Sequence, residues 1–424
     1  MNTLIKQQNG SHSRGRRLAA ESPIPRTTRL CVLFWRLGPY HHARLRAAGR
    51  LGSVTALELT RLDTEYDWDE VQGAESFERR TLFSAENTDR MTVPEVRRRM
   101  FAALDELRPD VVAVPGWSFP DALAALTWCA RSATPSIVMS ESQAHDHRRA
   151  AWRELVKRRL VRMNAAGFVG GRRHIDYLME LGLPRERVFT GYDVVDNEHF
   201  ASGAAAARAQ KEQCRRRLRL PRNYFLASNR FIEKKNLPGL LRAFANYRRR
   251  AGGAAWDLVM LGDGPQRSHL ERTCRDLDIQ HHVQFPGFQQ YDVLPAYYGL
   301  AQAFVHASTT EQWGLVVNEA LSAGLPVIVS DRCGCAPELV RHGDNGYTFD
   351  PGDENELSKL LERVATAGDG RAVMGKRSRE IVSDWSPDAF GDGIWRAVEA
   401  ATQTSPRKVT WVDQALLRAM RGRL

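Results

Sequence analysis

Residues 311–330 read EQWGLVVNEALSAGLPVIVS. Residues 314–323 carry apolar side chains at helical spacing. PVIVS (326–330) is a short apolar run of strand length. A helix passing through Ala-Gly-Leu-Pro into a buried strand is half of a βα repeat. The same rhythm continues outward. Strand candidates are YFLAS (224–228), WDLVMLG (256–262), VQFPG (283–287), AFVHAS (303–308) and GYTFD (346–350), with helical patterns at 237–251 and 266–277. Nearer the N-terminus, LCVLFW (30–35), SVTALEL (53–59), DVVAVPG (110–116), SIVMS (136–140) and AGFVG (166–170) alternate with helical segments at 94–107 and 120–132. Strands alternating with helices predict parallel sheets, hence an α/β protein of two doubly wound domains facing a central cleft.

The boundaries follow from composition. Residues 1–28 are polar and basic, and are expected to form a disordered arm. The first domain is expected over 29–200. The Ala/Arg-rich stretch 201–221 reads as a linker with a helix, and the second domain as 222–380. Residues 381–424 are then helices crossing back to the first domain, followed by a basic tail. The chain has 424 residues with 43% hydrophobic and 26% charged, enough to bury two cores without staples. Six sparse cysteines point to a reducing compartment, with Cys333 and Cys335 the only close pair. No apolar run approaches the roughly 18 residues of a membrane span, and the N-terminus lacks the apolar core of a secretory signal. A cytoplasmic protein, on the inner face of the membrane if it is peripheral, is expected.

A net charge of +11 favours anionic partners. Two basic amphipathic segments concentrate it. Residues 148–163 (RRAAWRELVKRRLVRM) place Trp152, Val156, Leu160 and Met163 at helical spacing. Residues 407–424 contain Trp411, Leu416, Leu417 and Met420. Each fits either an anionic membrane surface or a stripe packed on its own domain.

The residues suited to chemistry cluster in the second half. Arg230 and Lys235 follow a strand and precede a helix, where two cations can hold a diphosphate. Gly262-Asp-Gly264-Pro265 is a tight turn after WDLVML. Arg267 stands where a G-x-G-x-x-G fingerprint needs its third glycine, and no P-loop is present. Glu311 and Glu319 are eight apart. With a helix starting near Leu315, Glu311 lies in the preceding loop and Glu319 in the helix, roughly 10 Å away. The free amides around Gly314, Leu315 and Val316 would face an anion.

These pieces occur in the order and spacing of one family. Arg230…Lys235-Asn236, Gly262-Asp-Gly-Pro, Phe285-Pro-Gly287, the E-x7-E segment with EALSAGLPVIVS, and ELVRHGDNGYTFDP (338–351) together cover about 130 residues. The C-terminal half resembles family 4 retaining glycosyltransferases of the GT-B fold, two Rossmann-like domains around a cleft. LGPYHHARL (37–45) and GYDVVDNEHF (191–200) are similar to some bacterial members. The resemblance implies retaining transfer of a sugar from a nucleotide-diphosphate donor to a glycan or lipid-linked acceptor, in polysaccharide or glycoconjugate biosynthesis. It implies that Arg230 and Lys235 hold the diphosphate, Glu311 the sugar hydroxyls and Glu319 the ribose. Backbone at Gly287 and Phe288 would meet the base, and Gly314–Val316 the phosphates. Gly262 and Gly264 would line the site. No metal or other cofactor is expected; the nearest D-x-D, Asp67-Trp68-Asp69, lies in the first domain. That domain departs from the family's paired-glycine loop, having Gly38-Pro39-Tyr40-His41-His42 instead. His42 or His145 would reach the donor sugar, or serve in capping and packing.

Other readings are a nucleotide-sugar epimerase of similar fold and a non-catalytic nucleotide-sugar or glycan binder. A nucleic-acid partner is not expected, because the basic residues form no recognisable nucleic-acid motif.

Overall fold

The computed structural model describes residues 27–61, 68, 76–84, 91–146, 149–405 and 409–420. The basic arm up to residue 26, Asp67, Asp69 and residues 421–424 lie outside this range. A seven-stranded parallel sheet is built from β1 (Arg29–Phe34), β2 (Ser53–Thr60), β3 (Glu78–Phe83), β4 (Val111–Pro115), β5 (Ser136–Ser140), β6 (Ala166–Val169) and β7 (Val188–Thr190), in the order β3-β2-β1-β4-β5-β6-β7. A six-stranded parallel sheet follows from β8 (Tyr224–Ser228), β9 (Asp257–Leu261), β10 (Val283–Gly287), β11 (Ala303–His306), β12 (Val327–Ser330) and β13 (Gly346–Phe349), ordered β10-β9-β8-β11-β12-β13. The inner strands are apolar on both faces because helices cover both, as in FLA of β8 and VIV of β12. Strand order reverses between β1 and β4 and again between β8 and β11. Such a switch point opens a crevice at the carboxyl ends of its strands.

The stretch 201–221 is not a linker in space. It lies in the helices Asn197–Ala209 and Lys211–Leu218. Phe200, Ala204, Ala207, Cys214 and Leu220 pack into the second domain's core beside Tyr224 and Tyr297, so that domain begins near residue 197. The Ala-rich composition that suggested low complexity is what lets this helix approach the helix Leu294–Leu300. A Cβ on Gly299 would strike the Ala204 backbone.

The long helix Pro387–Gln403 belongs to the first domain. Ser386 caps it by accepting from Ala389 N, and Pro387 opens it. Its buried face carries Phe390, Ile394, Trp395 and Val398 into the core of β1, β4, β5 and β6. Trp395 Nε1 donates to Ala48 O at 2.8 Å. The chain therefore crosses the cleft twice. The helix Trp411–Ala419 then returns to the helix Ala151–Val161, where Arg159 pairs with buried Asp413 at 2.7 Å.

Phe390 is fully buried against Phe168, 5.1 Å between ring centroids. Phe390→Ala should cost about 3–5 kcal/mol, read by urea unfolding as loss of first-domain stability. A shift confined to the second domain would contradict this placement.

Candidate functional site

The switch point of the second sheet collects the basic and acidic candidates. Arg230 leaves the end of β8, and Lys235 closes the short turn Glu233–Lys235 that follows. Glu311 sits in the loop after β11, so it faces Lys235 across the crevice. Lys235 Nζ donates to Glu311 Oε2 in a short ion pair. Lys234 Nζ lies 3.6 Å from Glu311 Oε1, and His306 Nε2 lies 3.5 Å from Oε2. Ser308 Oγ joins at 3.4 Å from Oε2 and 3.0 Å from His306 Nε2. Burial would raise the pKa of this carboxyl, but the His306 hydrogen bond and the Lys235 charge outweigh it and hold the group below its ordinary range. Burial pushes His306 the other way, below an ordinary histidine, with Lys235 adding to the effect.

The glycines around this cluster shape it. Gly262 N donates to Gly287 O at 3.0 Å, and Gly264 N to Asp263 Oδ1 at 2.7 Å. Gly262 has φ +111°, and any Cβ there would collide with the carbonyl of Asn229, next to Arg230. Gly262 and Gly264 therefore let the β9 turn press on segment 229–231, which is how they act on the site. Gly287, with φ +83°, ends β10. Gly314, with φ +100°, heads the helix Leu315–Ser322, whose first amides, at Leu315 and Val316, open toward the same crevice.

Glu319 lies inside the helix Leu315–Ser322. It is fully buried, and Tyr40 of the first domain donates a short hydrogen bond to its Oε1. Burial, partly offset by hydroxyls of Tyr298 and Tyr40, raises its pKa to about 7. Four aromatic rings close over it. Tyr40 meets Tyr291 at 5.7 Å, and Trp68 meets Phe288 at 5.1 Å and Tyr291 at 5.9 Å. Tyr40 thus contacts Glu319, and Trp68 contacts Phe288, from the first domain.

The first-domain histidines take different places. His41, not His42, caps its helix: Gly38 N donates to His41 Nδ1 at 3.2 Å, and burial beside Arg44 lowers this imidazole to about 3. His42 meets Phe77 at 5.5 Å within the first domain. His145 is exposed on the loop after β5. The residue of that loop that reaches across is Gln143, whose Nε2 donates to Glu311 O at 2.8 Å. Fully buried His174 makes a second tie. It accepts from Gly171 N at Nδ1 and meets Gln312 O at 2.9 Å through Nε2, so Nε2 carries the proton. Sequence reasoning missed Tyr40, His306, Gln143 and His174. For His306 alone a signal existed, a polar residue ending the apolar run AFVHAS.

Among the described residues no group of three or more His, Cys, Asp or Glu is placed to hold a metal ion. Cys333 and Cys335 are both buried free thiols.

Residues 210–381 match the family model described as Glycosyl transferases group 1. The lipopolysaccharide core biosynthesis glycosyltransferase LpsE of Rhizobium meliloti is 31% identical over 168 residues, 39% of this chain and 47% of that protein. Mouse alpha-1,3/1,6-mannosyltransferase ALG2 is 28% identical over 41% of this chain and 44% of its own. The chain thus spans less than half the length of these curated relatives. Likeness in structure extends much further. Sucrose-phosphate synthase from Thermosynechococcus elongatus superposes with a TM-score of 0.69 at 18% identity, covering 88% of this chain and 100% of that one. Anabaena HepE in complex with UDP-glucose gives 0.66 at 17% identity, covering 88% and 99%. The fold is GT-B.

Because folding raises the Glu319 pKa above its ordinary 4.5, the neutral carboxyl favours the folded state. Its contribution is complete below about pH 4.5 and is lost as pH climbs through about 7. Glu319→Gln should remove that slope and gain up to about 3 kcal/mol over the parent near pH 8, as read by denaturant titration across this range. An unchanged pH profile would show that Glu319 is not held neutral.

Proposed function

We propose that the protein is a retaining glycosyltransferase that moves a sugar from a nucleotide-diphosphate donor to a glycan or lipid-linked acceptor in polysaccharide or glycoconjugate biosynthesis. The observation that carries this is the constellation at the β8/β11 switch point, where two cations, a buried carboxylate and a helix N-terminus meet beneath the first domain. The group 1 glycosyl transferase match covers that same half. HepE, solved with UDP-glucose, shares the fold.

In the reaction, the bond between the anomeric carbon and the diphosphate oxygen breaks as the acceptor oxygen bonds to that carbon from the same face. The acceptor's proton passes to the departing diphosphate. Negative charge grows on the diphosphate, so fixed cations stabilise the transition state more than the ground state. Arg230 and Lys235 fill that role, joined by the amides of Leu315 and Val316, and the reaction then needs no metal. Glu311, kept ionised, accepts hydrogen bonds from donor sugar hydroxyls once Lys235 turns to the phosphate. Glu319 takes the ribose and Phe288 the base after Tyr40 and Trp68 swing aside.

The acceptor side is proposed to meet a membrane. Among the described residues no helix is long and apolar enough to cross one. Yet Trp152, Leu155 and Trp411 are 61%, 68% and 80% exposed beside the cations of the helix Ala151–Val161. Leu160 and Val161 are buried and Val156 and Met163 pack against the same first-domain core, so Trp152 and Leu155 are what this helix leaves exposed. Exposed aromatics among arginines suit an anionic lipid interface.

UDP, GDP and ADP should be compared by thermal shift, each beside its nucleotide sugars. One nucleotide should raise Tm, and Arg230→Ala with Lys235→Ala should abolish that rise. Glu311→Ala should keep nucleotide binding and lower acceptor-dependent turnover by about 10²-fold or more. Undiminished turnover would remove Glu311 from the site. Product formation without acceptor would favour an epimerase, and binding without turnover a non-catalytic module.

Trp152→Ser with Trp411→Ser should reduce sedimentation with vesicles of equimolar phosphatidylcholine and phosphatidylglycerol. Undiminished sedimentation would assign these side chains another partner.

A further inference from the structure

A second cavity lies at the opposite edge of the C-terminal sheet, beside the amino-terminal ends of β11 and β12. Its volume is about 540 Å³, within the range of small-molecule sites. Arg208, Lys211, Arg215, Arg371 and Arg379 line it, and no Asp or Glu does. The donor constellation sits at the carboxyl ends of the same strands, so the two sites are separated by the depth of the sheet.

An ordinary structural role accounts for part of this charge. Arg208 Nη2 donates to Ala323 O at 2.5 Å, at the end of the helix Leu315–Ser322. Arg371 donates to Val364 O and Ala365 O at the end of another helix, and lies 4.9 Å from the Trp256 ring. Arg215 pairs with Glu212 at 3.3 Å. A helix C-terminus offers about half a negative charge. Two such ends and one glutamate leave a surplus of about three positive charges around the cavity. Among the described residues no carboxylate pairs with Arg208, Lys211, Arg371 or Arg379. Desolvation lowers the Arg208 pKa, and neighbouring Arg379 lowers it further, as expected of like charges held together. The Arg379 guanidinium lies against Gly324, whose φ is +76° and where any Cβ would strike it. Arg379 is exposed, so its charge stays open to solvent and to a ligand at the cavity wall.

We propose that this cavity is a binding site for a phosphorylated anion, a phosphate ester or diphosphate, separate from the donor cleft. Forked guanidinium groups on two different helices suit several phosphate oxygens at once. The phosphate can come from a free metabolite or from a lipid headgroup, and the two sources are separable by experiment.

The full chain would be titrated calorimetrically with inorganic pyrophosphate. Two classes of site are expected. Arg208→Gln with Arg379→Gln should weaken one by about tenfold or more and leave the other unchanged. Arg230→Ala with Lys235→Ala should do the reverse, so loss of the donor site and loss of this site are read independently. Lys211→Gln with Arg379→Gln, both at exposed positions, provides a second test if the first variant folds poorly. A lipid source would appear instead as vesicle sedimentation, with equimolar phosphatidylcholine and phosphatidylglycerol, that the Arg208/Arg379 substitutions reduce in the Trp152→Ser/Trp411→Ser background. Binding of neither probe, or binding of both unaltered by the cavity substitutions, overturns the site.

Discussion

A buried carboxylate needs partners, and Glu311 determines where everything around it must stand. Its side chain takes Lys235, Lys234, His306 and Ser308 from the second domain. The main-chain carbonyls of Glu311 and Gln312 take Gln143 and His174 from the first. One loop thus presents an anion to the cleft with its side chains and clasps the opposite domain with its backbone. Removing the partners would leave an uncompensated charge in a low-dielectric site, which is why the cluster is held as a unit. The glycines at 262 and 264 serve the same end by letting segment 229–231 press close.

Glu319 shows the other outcome for a buried acid. Among the described residues it meets hydroxyls and no cation, and so is held toward neutrality. Tyr40 supplies one of those hydroxyls from across the cleft. The aromatic contacts of Tyr40, Trp68, Phe288 and Tyr291 bury apolar surface between the domains. Two of the links between the domains differ in character. At Glu311 the link is polar and specific. Over Glu319 it is built mainly from aromatic rings.

The excess of basic residues resolves into separate groups rather than one surface. Some cations are structural, such as Arg159 on Asp413 and Arg79 on buried Glu58. Others surround the exposed Trp152, or line the cavity beneath β11 and β12. Net charge alone could not separate these roles, because it counts an arginine on a helix end the same as one facing an open cavity.

The sequence by itself determined the two parallel sheets and put the second-domain candidates at the ends of its strands. Buried parallel strands are continuous apolar runs, so each of the six strands β8 to β13 was legible, and the glycine turns and charged residues at their ends marked the switch point. The charge-rich edge strand β3 (ERRTLF) and the three-residue β7 were not, since an edge or a very short strand carries little apolar signal. Only the tertiary structure decided that residues 197–218 belong to the second core and that Tyr40 covers Glu319. It also decided that Gln143 and His174, not His42 or His145, engage the Glu311 loop, and that five cations meet at one cavity. Each of those facts joins residues far apart along the chain. Local periodicity reports which face of an element is apolar, whereas partner choice depends on how two finished domains and their crossing helices meet.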